Sequence, residues 1–226
     1  MKKNAFTLAE VLITLGIIGV VAALTLPSLI ANHKKQEIIT KLKREYSVLS
    51  QAFLRAQADN GDMSGWFINA DALSFMDTYL APYLQVTKNC GATINCWGTN
   101  KVVLNLNGSV NIDLNTASNP ASMQLNDGVN LVMWSTNIGD RVLIFMDING
   151  DKPPGKVGID IFSMTFNRIP MSDMSGSYID TPGLNMYGRG LDRAALLSNC
   201  SKTGSGVYCG ALYQADGWQI SKDINW

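Results

Sequence analysis

The chain begins with an unbroken apolar run. From Phe6 to Ala31 the only charged residue is Glu10. About 20 helical residues at ~1.5 Å each cross a hydrocarbon core, so this run is long enough to span a membrane. The pattern then changes to one face. Ile38, Ile39, Leu42, Tyr46, Leu49, Phe53 and Ala56 recur at three- and four-residue steps on an otherwise polar stretch, which predicts an amphipathic helix over 33–58. Asn60-Gly61 is its stop signal. One helix from Phe6 to Asp59 would be about 80 Å long. The stripe is too short for the three or four heptads of a coiled coil.

Past residue 60 the period shortens. A helix over Ala72–Tyr83 ends near Pro82, and then strands are predicted. Val102–Leu106 runs into Asn107-Gly108 and returns as Val110–Leu114. Asp127-Gly128 joins Ser122–Leu125 to Val129–Trp134, and Arg141–Ile148 and Ile159–Asn167 follow. The expected fold class is α+β: a long N-terminal helix whose second half packs on an antiparallel sheet of about four to six strands. Beyond residue 170 the chain reads as loop-rich, with a short helix near Leu191–Ser198. No internal repeat or low-complexity tract interrupts it.

Composition narrows the function classes. Eighteen Lys and Arg balance eighteen Asp and Glu over 226 residues, so there is no sequence-independent attraction to nucleic acid. Charged residues make up 16% of the chain, below the usual quarter. The length suits one domain with a small appendage.

The first thirty residues admit three readings. One is a secretory signal peptide, with Lys2 and Lys3 as its basic region and a small-residue site near Ala22 and Ala23; against it, the run exceeds the ~7–15 residues of a signal core. The second is a simple anchor. Neither accounts for Glu10, because a carboxylate inside a spanning helix costs about 2.5–3.5 kcal/mol, less near its end. The third starts from the segment Ala5-Phe6-Thr7-Leu8-Ala9-Glu10-Val11-Leu12-Ile13-Thr14-Leu15. It closely resembles the N-terminus of type IV prepilins and type II secretion pseudopilins.

That resemblance implies a prepilin peptidase that cuts before the Phe, here between Ala5 and Phe6, and methylates the new amine. The family's usual residue before the cut is Gly; Ala5 is also small. Cleavage would remove Lys2 and Lys3 and place a cationic amine on Phe6, one helical turn from Glu10. The resemblance implies that Glu10 meets the Phe6 amine of a neighbouring subunit, where an unpaired charge in a low-dielectric bundle would be costly. Gly16, Gly19 and Pro27 also match: Pro27 kinks or opens a helix, Gly19 lowers helix propensity, and in pilins the stretch between such residues can melt on assembly. Both are also ordinary residues of spanning helices. Lys34, Lys35, Lys41, Lys43 and Arg44 outnumber Glu37 and Glu45 after the span and taken alone would make that side cytoplasmic. Long domains translocate largely regardless of such charge, and the motif requires a cytoplasmic leader.

Four cysteines in an exported domain imply disulfides. Three pairings are open; the short loops closed by Cys90–Cys96 and Cys200–Cys209 favour that one. A four-cysteine zinc site would need closer spacings. Asp147, Asn149, Asp151 and Asp160 form the one metal-like set, with alternating oxygens that suit Ca²⁺. The EF-hand pattern fails, because its twelfth position is Gly158, and the same residues suit a turn built on Asn149-Gly150 and Pro153-Pro154. The single histidine, His33, lies just past the span, and there is no phosphate loop or HExxH motif.

The expected organisation is a leader (1–5), a transmembrane and polymerisation helix (6–31), an amphipathic helix (32–60) and a β-rich head (61–226). The resemblance implies a non-enzymatic filament subunit of a type IV pilus or type II secretion pseudopilus. It would be held in the inner membrane before assembly, with its head outside the cytoplasm. Its partners would be prepilin peptidase, membrane lipid and copies of itself or related pilins. The alternatives are an exported enzyme and a calcium-dependent surface binding module.

Overall fold

In the computed structural model the described residues are 7–68, 71–98, 101–135, 140–172 and 179–224. Two compact units result, Met1–Glu37 and Ile38–Trp226.

In the first unit the helix α1 (Leu8–Asn60) begins and continues through Gly19 and Pro27. Its large apolar side chains from Leu8 to Ile30 are exposed throughout. The hydroxyls are satisfied along the helix itself: Thr14 Oγ1 donates to the Glu10 and Val11 carbonyls, Thr25 Oγ1 to Val21 and Ser28 Oγ to Thr25. An apolar exterior with its polar groups internally bonded suits lipid.

In the second unit the stripe on α1 is buried as its spacing predicts, through Ile38, Ile39, Leu42, Leu49, Ala52, Phe53 and Ala56. Glu45 is buried with them. Tyr46 is at the margin, with its hydroxyl donating to the Leu184 carbonyl and its ring 5.5 Å from Trp218. α2 (Ala72–Tyr79) is capped by Asp71, which accepts from the Leu73 N–H. It stops four residues short of the sequence expectation: Ala81–Tyr83 forms a separate 3-10 turn around Pro82, because proline cannot donate to the preceding helix.

The strands are β1 (Val86–Asn89), β2 (Val102–Leu104), β3 (Val110–Asp113), β4 (Ala121–Leu125), β5 (Asn130–Ser135), β6 (Arg141–Asp147), β7 (Ile161–Asn167), β8 (Met171–Ser172), β9 (Ile179–Asp180) and β10 (Gly183–Met186). Among the described residues the main sheet is antiparallel in the order β1-β4-β5-β6-β7-β10. The Asp127-Gly128 turn joins β4 to β5, with Gly128 at φ +86°. The Asn107-Gly108 turn also forms, but β2 and β3 make a separate two-stranded sheet, tied at Leu104 to Lys156 of the loop before β7.

Two cores explain this arrangement. On one face Met123, Leu131, Met133, Ile144, Met164 and Phe166 pack with the α1 stripe and α2. On the other, Val132, Phe145 and Ile161 pack under Trp97, Val103, Leu114 and Val157. The β2–β3 hairpin therefore lids the sheet instead of extending it. β7 is buried at every position, as expected of a strand covered on both faces. Two further helices, α3 (Arg193–Asn199) and α4 (Cys209–Ala215), close the C-terminal end; α4 buries Ala211, Leu212 and Tyr213.

A candidate assembly helix and its head

The start of α1 carries the main functional set. Thr7 and Glu10 form a reciprocal cap: the Glu10 N–H donates to Thr7 Oγ1 at 3.3 Å, and the Thr7 N–H donates to Glu10 Oε2 at 2.8 Å. Thr7 Oγ1 also donates to Glu10 Oε2, at 2.8 Å. This is the capping-box arrangement, a Thr followed three residues later by a Glu. In the sequence the Thr-x-x-Glu spacing of Thr7 and Glu10 is the signal for it. The cap gives Glu10 a local partner within its own chain. Ala5 and Phe6 lie outside the described residues. Beyond its chain neighbours and the helix's own backbone, Gly19 has no described atom within 4 Å of where a side chain would begin, and Pro27 stays within the helix.

Both disulfides are present in the head. Cys90 joins Cys96 with Cα atoms 5.7 Å apart, and Cys200 joins Cys209 at 4.9 Å. The second ties α3 to α4 and is fully buried. It presses on the β6–β7 loop: Gly158, at φ +85°, lies so close that a Cβ there would be 2.6 Å from Cys209 Sγ. Tyr213 Oη donates to the Gly158 carbonyl at 2.9 Å. Arg193 pairs with Asp216 and Asp223, holding the terminal segment to α3.

The acidic residues Asp147 and Asp160 are bonded within the β6–β7 loop. Asp160 accepts the Gly155 and Lys156 N–H groups at 2.8 and 2.7 Å and the Asn149 Nδ2 at 3.1 Å. That is how a carboxylate stabilises a loop from inside. Asp147 accepts the Asn149 N–H at 3.0 Å, and burial pushes its carboxyl up to about 7. Burial also pushes Asp160 up, against those N–H donors. Asp151 is exposed. Asp147 and Asp151 both line a cavity of about 230 Å³ beside Trp97. Among the described residues no group of three His, Cys, Asp or Glu side chains is placed to hold a metal ion. His33 is exposed on α1.

A spanning-length N-terminal helix followed by an antiparallel β-sheet head is a pilin-like α+β architecture. Comparison with known families agrees: the prokaryotic N-terminal methylation motif matches residues 1–26, which marks a type IV prepilin- or pseudopilin-type chain. A second match, over residues 28–225, is to DUF6613, described as a family of unknown function. The chain belongs to the DUF6613 family. No curated protein and no solved structure matches it.

Proposed function

We propose that this chain is a structural filament subunit and not an enzyme. A prepilin peptidase cuts between Ala5 and Phe6. The mature chain waits in the inner membrane as a single-pass protein with its head outside the cytoplasm. It then polymerises through α1 with copies of itself or related pilins, in a type IV pilus or type II secretion pseudopilus. The observation that supports this reading is the placement of Glu10: a carboxylate in the first turn of a helix whose large apolar side chains from Leu8 to Ile30 are exposed, within the segment that the methylation motif matches. In the membrane, Glu10 is satisfied by Thr7. In the filament it exchanges that partner for the Phe6 amine of a neighbour, and this exchange sets axial register. For the β6–β7 loop, internal bonding of Asp160 supports a structural turn.

The test begins with intact-mass and N-terminal analysis of the protein from its native membrane. A chain that starts at methylated Phe6 is expected; an intact Met1 or a start near residue 24 would overturn processing. Two substitutions then separate cap from charge. Glu10→Gln keeps a capping residue at this position but removes the anion, whereas Glu10→Ala removes both. Both variants are expected to insert and neither to assemble. Normal assembly of Glu10→Gln would refute the charge-pairing role.

A further inference from the structure

Glu45 sits on the buried stripe of α1 between Leu42 and Leu49, with its side chain 1% exposed. Its Oε2 has no hydrogen-bond partner among the described residues. Facing it is Asp127, in the turn between β4 and β5. One guanidinium serves both carboxyls: Arg44 Nη1 is 3.3 Å from Glu45 Oε1, and Arg44 Nη2 is 3.0 Å from Asp127 Oδ2. Arg44 itself is 60% exposed. The group lies along a cavity of about 230 Å³ that also receives Lys41 from α1 and Asn149 and Lys152 from the β6–β7 loop.

The chemistry of this cluster is that of a shared proton. Two carboxyls in close contact resist being ionised together. An exposed guanidinium is a weak counterweight to a carboxylate withdrawn from water. A neutral Glu45 gains a donor that can bond Asp127; an ionised Glu45 has only acceptors. Burial pushes the Glu45 carboxyl up to about 7, the Asp127 charge pushes the same way and Arg44 opposes them.

We propose that Glu45 and Asp127 form a proton-operated latch between α1 and the β4–β5 hairpin. With a proton on Glu45 the acid bonds Asp127 and the hairpin is held to the helix. When the proton leaves, two like charges face each other across that contact, bridged by Arg44, and the hairpin opens locally. The proton exchanges with solvent through the adjoining cavity, where Lys41 and Lys152 are the other charged groups. Mildly acidic surroundings would thus tighten the head, and neutral to alkaline surroundings would loosen it at this point.

Hydrogen–deuterium exchange of the full chain in detergent micelles tests this, with rates corrected for the intrinsic pH dependence of exchange. Between about pH 5.5 and about pH 8.5 the amides of Leu42–Leu49 and Leu125–Val129 should open roughly tenfold more often at the higher pH. Glu45→Gln, a neutral isostere that still donates, should remove that dependence. Asp127→Asn, which removes the like charge from the opposite side, should flatten it independently if Glu45→Gln fails to fold. Equal protection of the wild type at the two pH values would overturn the latch, as would an undiminished pH dependence in either variant.

Discussion

The claim that the second half of α1 is a core element of the head can be measured at Phe53. This ring is 1% exposed. It stacks on Phe166 of β7 with centroids 4.6 Å apart and lies 6.1 Å from Phe75 and 6.4 Å from Trp66. Four rings from α1, α2, the intervening loop and the sheet therefore meet at one point. Phe53→Ala removes the ring and leaves a cavity that three rigid neighbours cannot refill, so the cost should be roughly 3–5 kcal/mol. Set against a typical total of about 5–15 kcal/mol, that is a large fraction. With a urea slope of about 2 kcal/mol/M, the midpoint should fall by roughly 2 M. The assay is urea unfolding of the full chain in detergent, followed by near-ultraviolet circular dichroism, which reports the aromatic cluster. Leu54→Ala is the control: Leu54 follows Phe53 but is 61% exposed, so its cost should stay within about 0.5 kcal/mol. A double-mutant cycle with Phe166→Ala should give a coupling of about 0.5–1.5 kcal/mol. A midpoint shift for Phe53→Ala no larger than that of Leu54→Ala would refute the reasoning, because the stripe would then not hold the head together.

Two other outcomes follow from the head. Asp147, 5% exposed, keeps its proton up to about 7 in the folded chain, whereas an unfolded Asp loses it near ~3.9. Between those values the native state binds more protons, so stability should fall as pH rises and level off above about 7. Asp147→Asn should reduce that fall by about 2–4 kcal/mol in melts run across the range, and an unchanged pH profile would contradict the assignment. Replacing Cys200 and Cys209 together with Ser should lower stability by roughly 2–3 kcal/mol. It should also increase exchange at the Gly158 amide, which packs beside Cys209; a loss confined to α3 and α4 would show that the disulfide does not brace the β6–β7 loop.

The long helix was legible because its two signals are one-dimensional: a continuous apolar run, then a stripe of period 3.6. The Asp127-Gly128 hairpin was legible for a similar reason, since turn chemistry is local. What the sequence hid is pairing and two-sided burial. Val102–Leu104 and Val110–Asp113 look like any other hairpin, yet they lie over the second face of the sheet instead of at its edge. Once that face is covered, Ile161–Asn167 no longer needs to alternate, and Ser163, Thr165 and Asn167 are buried beside Phe162, Met164 and Phe166. The edge strands β1 and β10 and the seven-residue α4 are too short for a periodic signal. The charge of Glu45 masks its burial in the sequence, although it falls on the stripe three residues after Leu42 and four before Leu49.

On the two proposals above, the acids that interrupt the apolar pattern of α1 do different work, and stability and assembly together distinguish them. The Glu10 side chain is exposed and accepts from the Thr7 N–H and hydroxyl in its own first turn. On the proposed function, its charge acquires an energetic role only when another chain supplies a cation in a low-dielectric bundle. Glu45 is enclosed by its own chain and carries an oxygen without a hydrogen-bond partner among the described residues, so its cost is already present in the single subunit. Glu10→Gln should therefore leave the head's unfolding midpoint unchanged and abolish assembly, whereas Glu45→Gln should raise the midpoint above about pH 7. If Glu10→Gln instead lowered the head's unfolding midpoint in the full chain, or Glu45→Gln left its pH dependence intact, the division of α1 into an intermolecular half and an intramolecular half would be wrong.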